Sequence, residues 1–162
     1  EINDGLKTLK KLEDMGVLKM IITRDIFSLA HRAGCKNVIE LHGSVYHNEC
    51  PHCRRKYPLE YIRDSKGVPR CENCGTTIRP QIVLAGEMVN NALSTKAADE
   101  VSKADTLLLL GCDMSSVLAE SFLRYFTGKR VILIHNREHY ADSKADLVIH
   151  GKSMDILAQL AL

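Results

Sequence analysis

Four cysteines are the residues of this sequence whose spacing most directly predicts chemistry. Cys50 and Cys53 form one C-x-x-C pair, and Cys71 and Cys74 form a second pair further along the chain. Two such turns supply four thiolates, the tetrahedral ligand set that Zn²⁺ prefers, with Zn–S distances near ~2.3 Å. Because four cysteine ligands leave no open coordination position, the pattern predicts a structural zinc ion rather than a catalytic one.

Two disulfides are the alternative interpretation of these four cysteines. The first residues of the chain contain no charged segment followed by an apolar one, which is the pattern that directs secretion. Cys35 and Cys112 remain outside the predicted zinc site, and unpaired thiols are typical of a reducing compartment. We therefore favour zinc over disulfides and expect a cytoplasmic protein.

The composition indicates one compact domain with a small insert. The chain has 162 residues, of which 45% are hydrophobic, enough to bury a core. Its 22 basic and 20 acidic side chains give a formal net charge of +2, so binding of nucleic acid by bulk charge is not expected. The apolar runs are much shorter than the about twenty residues that a membrane span needs, so no membrane partner is expected.

Strand and helix patterns alternate along most of the chain. A first amphipathic helix is predicted between a cap at Asn3 or Asp4 and a stop at Gly16. Later helices are predicted at 27–33, 91–104 and 117–126, followed by a last short helix capped by Ser153. Short apolar runs predict strands at 17–23, 37–41, 82–85, 106–111, 131–134 and 147–149. Because these strands are apolar throughout and separated by helices, we predict a doubly wound, Rossmann-like α/β fold with a mostly parallel sheet.

The segment around the cysteines differs in composition from its surroundings. Residues 44–79 are rich in Cys, Pro, Arg and Asn and poor in aliphatic side chains. A bound metal can replace the hydrophobic core that such a segment lacks. We therefore predict an α/β domain formed by residues 1–43 and 80–162, with residues 44–79 inserted as a zinc ribbon.

The loops that follow the predicted strands are the candidate site segments, because ligands of open α/β sheets bind at the carboxyl ends of the strands. His42, which precedes Gly43, is the best acid–base candidate, since an imidazole titrates near neutral pH. A purely structural histidine is the alternative. The turn Gly111-Cys112-Asp113 can offer backbone N–H groups to a phosphate, although an ordinary strand-to-helix turn uses the same residues.

The other histidines carry no comparable pattern. His47 and His52 lie within the ribbon, where four thiolates already complete the zinc shell, so we interpret them as surface residues. The remaining four have no partner spacing that indicates a site: His31, His135, His139 and His150.

Several of these motifs, in this order, resemble the sirtuin family, the NAD-dependent protein-lysine deacylases. The resemblance rests on Glu40-Leu41-His42-Gly43-Ser44, the ribbon directly after it, Arg79-Pro80 and Gly86-Glu87. It extends over essentially the whole chain through Gly111, Asn136-x-Glu138 and Gly151. In this family the acyl oxygen of a modified lysine attacks the nicotinamide ribose of NAD, and the histidine of the His-Gly motif acts as general base. The resemblance therefore implies that His42 is catalytic.

The resemblance also implies positions for the nucleotide and the substrate. Thr23 and Arg24 fall where the family binds NAD, and Asp25 stands at a catalytic position where the family has an asparagine that orients the ribose. Further contacts with NAD or ADP-ribose are implied for Gly111, Cys112, Asp113, Asn136, Glu138 and Ser153. Contacts with an acylated protein or peptide are implied for Leu84, Ala85, Gly86 and Glu87.

The sequence departs from the family pattern at several of these positions. Asp25 replaces the asparagine, and Phe27 replaces an acid that contacts nicotinamide. Ala85 replaces a phenylalanine that walls the acyl-lysine tunnel, and Cys112-Asp113 replaces a pair of hydroxyl residues. The glycine-rich Gly-Ala-Gly-Ile-Ser loop of the family has no counterpart in the chain, so we expect a sheet that is incomplete at its N-terminal side.

These departures leave two interpretations open. In the first, the chain is a member or fragment of the deacylase family, with NAD and an acylated protein or peptide as its ligands. In the second, it is a catalytically impaired homologue that uses the fold to bind ADP-ribose, another nucleotide or a protein. Both predict an exposed sheet edge, which a homodimer or a partner chain is expected to cover.

Overall fold

The computed structural model describes residues 2–160, which form eight strands, six α-helices and one 3-10 helix. In chain order these are α1 (Asp4–Asp14), β1 (Ile21–Thr23), α2 (Leu29–Arg32), β2 (Val38–Glu40), β3 (Gly43–Glu49), β4 (Lys56–Tyr57), α3 (Leu59–Arg63), β5 (Arg79–Ile82), α4 (Asn91–Ser102), β6 (Thr106–Leu110), α5 (Val117–Leu123), β7 (Arg130–His135), the 3-10 helix (Tyr140–Lys144), β8 (Leu147–His150) and α6 (Ser153–Leu157). None of the helices within residues 2–160 has the length and apolar character that crossing a bilayer requires.

The strands are arranged in three sheets. β1 and β2 pair in parallel, and β6, β7 and β8 form a second parallel sheet in that order. β3 lies between β4 and β5 in an antiparallel sheet. The parallel strands with intervening helices confirm the predicted Rossmann-like α/β fold.

β7 is the central strand of its sheet and is buried on both faces. Ile134 packs on one face into a cluster that contains Leu6 and Leu9 of α1. Leu133 points to the opposite face, where it packs into a cluster with Ala141 of the 3-10 helix. Successive side chains of a strand alternate between faces, so an apolar run of this kind fills both helix layers.

A gap separates the two parallel sheets. Within residues 2–160, β1 pairs only with β2 and β6 pairs only with β7, so each has an edge without a strand partner. An apolar cavity of about 310 Å³ lies between these edges, lined by Ile21 and Ile22 of β1 and by residues 108–110 of β6. The parallel sheet is therefore interrupted between β1 and β6.

Several predicted element ends differ from the structure. The strand predicted at 82–85 is β5 at Arg79–Ile82, and it pairs antiparallel with β3 rather than joining a parallel sheet. The first strand begins at Ile21 rather than at Val17, because the Val17 backbone N–H bonds to the Leu12 carbonyl at the end of α1. The second helix begins at Leu29 rather than at residue 27, as described below. The prediction that Ser153 caps the last helix was wrong: Lys152 is the cap, because its carbonyl accepts the first backbone hydrogen bonds of α6.

Candidate functional site

The four cysteines of the two C-x-x-C pairs converge on one point. Their Sγ atoms all lie within 4.8 Å of one another, with 3.4 Å between Cys50 and Cys74 and 3.4 Å between Cys53 and Cys71. These distances are much longer than the about 2.05 Å of a disulfide. They are close to the about 3.8 Å edge of a tetrahedron with Zn–S bonds near 2.3 Å. The four thiols therefore fit a structural zinc ion, as their spacing predicts.

The two cysteine turns have the same backbone design. In each, the carbonyl of the first cysteine accepts a hydrogen bond from the residue four positions later, which has a left-handed φ. The N–H of the first cysteine donates to the carbonyl five positions later. The bonds are Arg54 N to Cys50 O (3.0 Å), Cys50 N to Arg55 O (2.9 Å), Gly75 N to Cys71 O (2.8 Å) and Cys71 N to Thr76 O (2.8 Å). Each local turn therefore directs its own pair of thiols, and the zinc ion would join the two turns.

A buried tyrosine supports one of the thiols. The Tyr57 hydroxyl donates to Cys71 Sγ at 3.1 Å and accepts from the Glu72 backbone N–H at 2.9 Å. The hydrogen bond from Tyr57 lowers the pKa of the Cys71 thiol below its ordinary value and so favours the thiolate that binds metal. Tyr57 and Ile78 are buried with Cys50 and Cys71 in the small apolar cluster of this segment.

His42 lies between β2 and β3 and lines a cavity of about 500 Å³. The Val83 backbone N–H donates to the His42 carbonyl at 3.0 Å, which ties the histidine to the end of β5. Gly43 has a φ of +69°, and a Cβ at this position would lie 1.9 Å from the Gln81 carbonyl oxygen. Glycine is therefore required directly after His42, because a side chain at position 43 has no space beside β5.

The cavity beside His42 carries positive charge and hydroxyl groups. Arg24 and Arg124 both contribute to its lining, so an anionic ligand is favoured there. The other polar positions of the lining come from α4 and α5 and their ends: Ser94, Thr95, Ser121 and Tyr125. The sequence predicts a role for Arg24 but not for these helix residues. Their positions follow helical periodicity and carry no motif, so only the packing of α4 against α5 brings them to His42.

Three predicted site residues line the gap between the parallel sheets. Thr23 is the last residue of β1, Asp25 follows that strand and Cys112 follows β6, and all three contribute to the cavity of about 310 Å³. The Asp25 carboxylate accepts hydrogen bonds from the backbone N–H groups of Phe27 (3.1 Å) and Leu29 (2.7 Å). These bonds make the turn that delays the start of α2 and occupy both carboxylate oxygens.

Gly111 and Ser153 are neighbours. A Cβ at Gly111 would lie 3.6 Å from Ser153 Oγ, which places the loop after β6 beside the start of α6. Asp113 Oδ1 accepts hydrogen bonds from the backbone N–H (2.9 Å) and hydroxyl (2.6 Å) of Ser115. The bond from the hydroxyl is the larger cause of a lowered pKa at Asp113, so this carboxyl stays ionised.

The remaining predicted contacts lie in two exposed turns. Asn136 and Glu138 are exposed directly after β7. In the turn from Leu84 to Glu87 after β5, the Leu84 N–H donates to Glu87 Oε2 at 2.8 Å. Arg79 forms an ion pair with Glu87, and this contact is the main cause of a lowered pKa at Glu87. The turn is therefore closed by its own acidic residue.

Comparison with known proteins identifies relatives over nearly the whole chain. A family model described as the Sir2 family matches residues 1–117. The chain is 43% identical over 159 residues to the "NAD-dependent protein deacetylase" of Clostridium perfringens, covering 98% of the chain and 65% of that relative. It is 38% identical over 163 residues to the protein of the same description in Cutibacterium acnes, covering 99% of the chain and 66% of that relative. The chain thus spans slightly less than two thirds of these relatives.

Solved structures agree with this result. The chain superposes on the structure described as "Sir2-p53 peptide-NAD+" with a TM-score of 0.84 and 30% identity, covering 97% of the chain and 68% of that structure. It superposes on "Sir2 bound to acetylated peptide" with a TM-score of 0.85 and 31% identity, covering 96% of the chain and 68% of that structure. Sequence and structure comparisons therefore identify the same group of proteins.

Proposed function

This chain belongs to the Sir2 family, and from this premise we propose that it carries the general base, the adenosine contacts and the zinc ribbon of an NAD-dependent protein-lysine deacylase. The observation that carries the proposal is His42, which lines a cavity of about 500 Å³ together with Arg24 and Arg124. A histidine beside two guanidinium groups suits a ligand that contains both ribose hydroxyls and phosphates.

The proposed chemistry assigns distinct tasks to these side chains. Bound NAD would supply an electrophilic ribose carbon from which nicotinamide leaves when the acyl oxygen of a modified lysine attacks. His42 would accept a proton from a ribose hydroxyl, and Arg24 and Arg124 would oppose the charge of the phosphates. Asn136 and Glu138 would contact the adenosine ribose, and residues 84–87 would border an acylated protein or peptide. The "Sir2 bound to acetylated peptide" relative supports this class of substrate.

We further propose that a β-strand from a partner chain fills the gap between β1 and β6. The edges of both strands offer backbone N–H and C=O groups, and the cavity between them is lined by apolar side chains. Thr23 and Asp25 lie on one side of this gap and Cys112 on the other. Filling it would join the two halves of the candidate nucleotide site, so full turnover is expected from the assembly rather than from the isolated chain.

A second candidate function, nucleotide or protein binding without catalysis, is favoured by one observation. Both oxygens of the Asp25 carboxylate accept backbone hydrogen bonds from their own loop, which leaves each oxygen fewer acceptor positions for a ribose or a water molecule. In this alternative the cavity beside His42 holds ADP-ribose, and the ribbon and the gap serve for contacts with other proteins.

Calorimetric titration with ADP-ribose tests the nucleotide site directly. We expect saturable binding by the wild-type chain and at least about tenfold weaker binding by Asn136→Ala, which removes one contact to the adenosine ribose. Asn91→Ala, at the exposed start of α4, is the matched control and should bind like wild type. Absence of ADP-ribose binding in the folded wild-type chain would refute the nucleotide assignment for both candidate functions.

Nicotinamide release tests whether the isolated chain is already a complete deacylase. The chain is incubated with NAD and an acetyl-lysine peptide, with His42→Ala as control. We expect no release from the isolated chain, because the gap divides the candidate site. Release that disappears in His42→Ala would show that the isolated chain is already a complete deacylase, contrary to our proposal about the partner strand.

Two further properties are proposed for the chain. Residues 44–79 form a zinc-stabilised small domain inserted between residues 1–43 and 80–162, which the apolar cluster within this segment supports. The antiparallel sheet extends beyond this segment to Gly43 and Ile82. A reducing compartment, the cytoplasm, is supported by the six cysteines, all of which are free thiols in the structure.

A further inference from the structure

A second cluster of metal-ligating side chains lies at the carboxyl end of β7 and β8, outside the ribbon. The two strands are parallel and in register, so His135 and His150 form their last residue pair and point to the same face. Asp142 comes from the 3-10 helix in the connection between the strands and lies between the two rings. His135 Nε2 is 3.1 Å from Asp142 Oδ1, and His150 Nε2 is 2.9 Å from Asp142 Oδ2.

We propose that His135, Asp142 and His150 bind a divalent transition metal ion such as Zn²⁺. One ligand atom from each residue lies within 4.8 Å of the other two. Metal–nitrogen and metal–oxygen bonds of about 2.0–2.1 Å give a tetrahedral edge of about 3.3 Å. Each imidazole lies close to this distance from the carboxylate, His135 from Oδ1 and His150 from Oδ2. The ion takes the place of the protons that the imidazoles share with the carboxylate, and these protons pass to solvent.

The ligands are held in place by the surrounding backbone. The His139 N–H donates to Asp142 Oδ2 at 3.0 Å, and His139 Nδ1 accepts from the Ala141 N–H at 3.2 Å, which closes a capping box at the start of the 3-10 helix. Ala141 is 1% exposed and packs against β7. Hydrogen bonds of this kind orient a ligating carboxylate before the metal arrives, which lowers the cost of binding.

One side of the cluster is open to solvent. The His135 side chain is 6% exposed and Asp142 is 13% exposed, whereas His150 is 41% exposed. An ion can therefore enter past His150 without unfolding the sheet. Three protein ligands leave a fourth position for water, unlike the four thiolates of the ribbon. Two imidazoles and one carboxylate suit Zn²⁺, Co²⁺ or Ni²⁺, whereas Mg²⁺ and Ca²⁺ prefer oxygen ligands only.

Titration of tag-free protein with Co²⁺ tests the site. The ribbon is first loaded with zinc, and binding is followed by calorimetry and by the visible d–d absorption of cobalt. We expect one additional equivalent of Co²⁺ per chain, without the thiolate-to-metal charge-transfer band that a cysteine site produces. His150→Ala should weaken this second binding event by on the order of a hundredfold or more, because it removes one of three ligands.

His31→Ala is the matched control. The His31 side chain is also 41% exposed and also contacts a carboxylate, Glu40, at 3.0 Å, but it contributes to no cluster of ligand atoms in residues 2–160. This variant should bind the second equivalent like wild type. Asp142→Asn retains the size of the side chain and should also lose the second equivalent, with circular dichroism confirming that the variant is folded.

Two results would overturn the proposal. One is wild-type protein that takes up no ion beyond the zinc of the ribbon, in which case the three residues form only a hydrogen-bonded cluster. The other is a second ion that binds His150→Ala and His31→Ala with equal affinity, in which case the ligands lie elsewhere. Neither result depends on ADP-ribose binding, so this test is independent of the proposed function.

Discussion

Replacement of Gly43 by alanine should destabilise the protein far more than the same replacement at Gly16. Both glycines have left-handed backbones, with φ of +69° and +70°. An L-residue in this conformation costs about 1 kcal/mol. At Gly16 that is nearly the whole effect, because the nearest atom to a new Cβ is Lys19 Nζ at 4.0 Å.

At Gly43 the new methyl group would also meet β5. Its Cβ would lie 1.9 Å from the Gln81 carbonyl oxygen, so β3 and β5 must separate by about 1 Å to relieve the contact. This movement weakens the hydrogen bond from Val83 N to His42 O and the pairing of Ser44 with Gln81. With about 1 kcal/mol for each backbone bond lost, we expect a total loss of roughly 3 kcal/mol in the free energy of unfolding.

Urea unfolding of the zinc-loaded proteins, followed by circular dichroism, measures both effects. The expected order of unfolding midpoints is wild type, then Gly16→Ala, then Gly43→Ala, with similar m-values for all three. If Gly43→Ala were no less stable than Gly16→Ala, the steric explanation of the His-Gly pair would be wrong. The position of His42 would then have to depend on something other than the contact between β3 and β5.

Three further predictions concern the zinc ribbon and the Glu13 carboxylate. Wild-type protein dialysed against a weak chelator should retain one zinc ion per chain. Cys71→Ser should lose this ion, whereas Cys112→Ser should keep it. Less than one zinc ion per chain in reduced, folded wild-type protein would contradict the site. A strong chelator should loosen the ribbon but leave most of the helical dichroism, because α1 packs in a different apolar cluster. The Glu13 carboxylate accepts hydrogen bonds from the Asn37 N–H (2.7 Å) and the Lys36 N–H (3.0 Å), which lower its pKa below 4.5. Because the pKa of Glu13 is lower in the native state than in the unfolded state, this stabilisation is present above pH 4.5 and is lost as the pH falls through the native pKa. Glu13→Gln should therefore be less stable than wild type at neutral pH, and the difference in stability should shrink in acid. Urea midpoints at several pH values check this, with Glu60→Gln as an exposed control; a difference that does not change with pH would rule out the assignment.

The histidines show where prediction from sequence ended. His42 was identified because it follows a predicted strand and precedes a glycine, both of which are local features. No partner spacing in the sequence indicates a site for His135 or His150, whereas in the structure both contact Asp142. No local spacing relates these three residues, because their proximity depends on the register of β7 with β8 and on the course of the chain between them.

Elements that depend on short-range geometry could be predicted from the amino-acid sequence alone. Two C-x-x-C turns orient their own thiols through backbone hydrogen bonds within six residues, and apolar periodicity separates strands from helices. The three-dimensional structure was needed to show which polar side chains share a cavity with His42 and where the parallel sheet is interrupted. The physical reason is that strand order and helix packing are set by burial of apolar surface over the whole chain, so contacts between distant residues follow from the complete fold rather than from any local pattern.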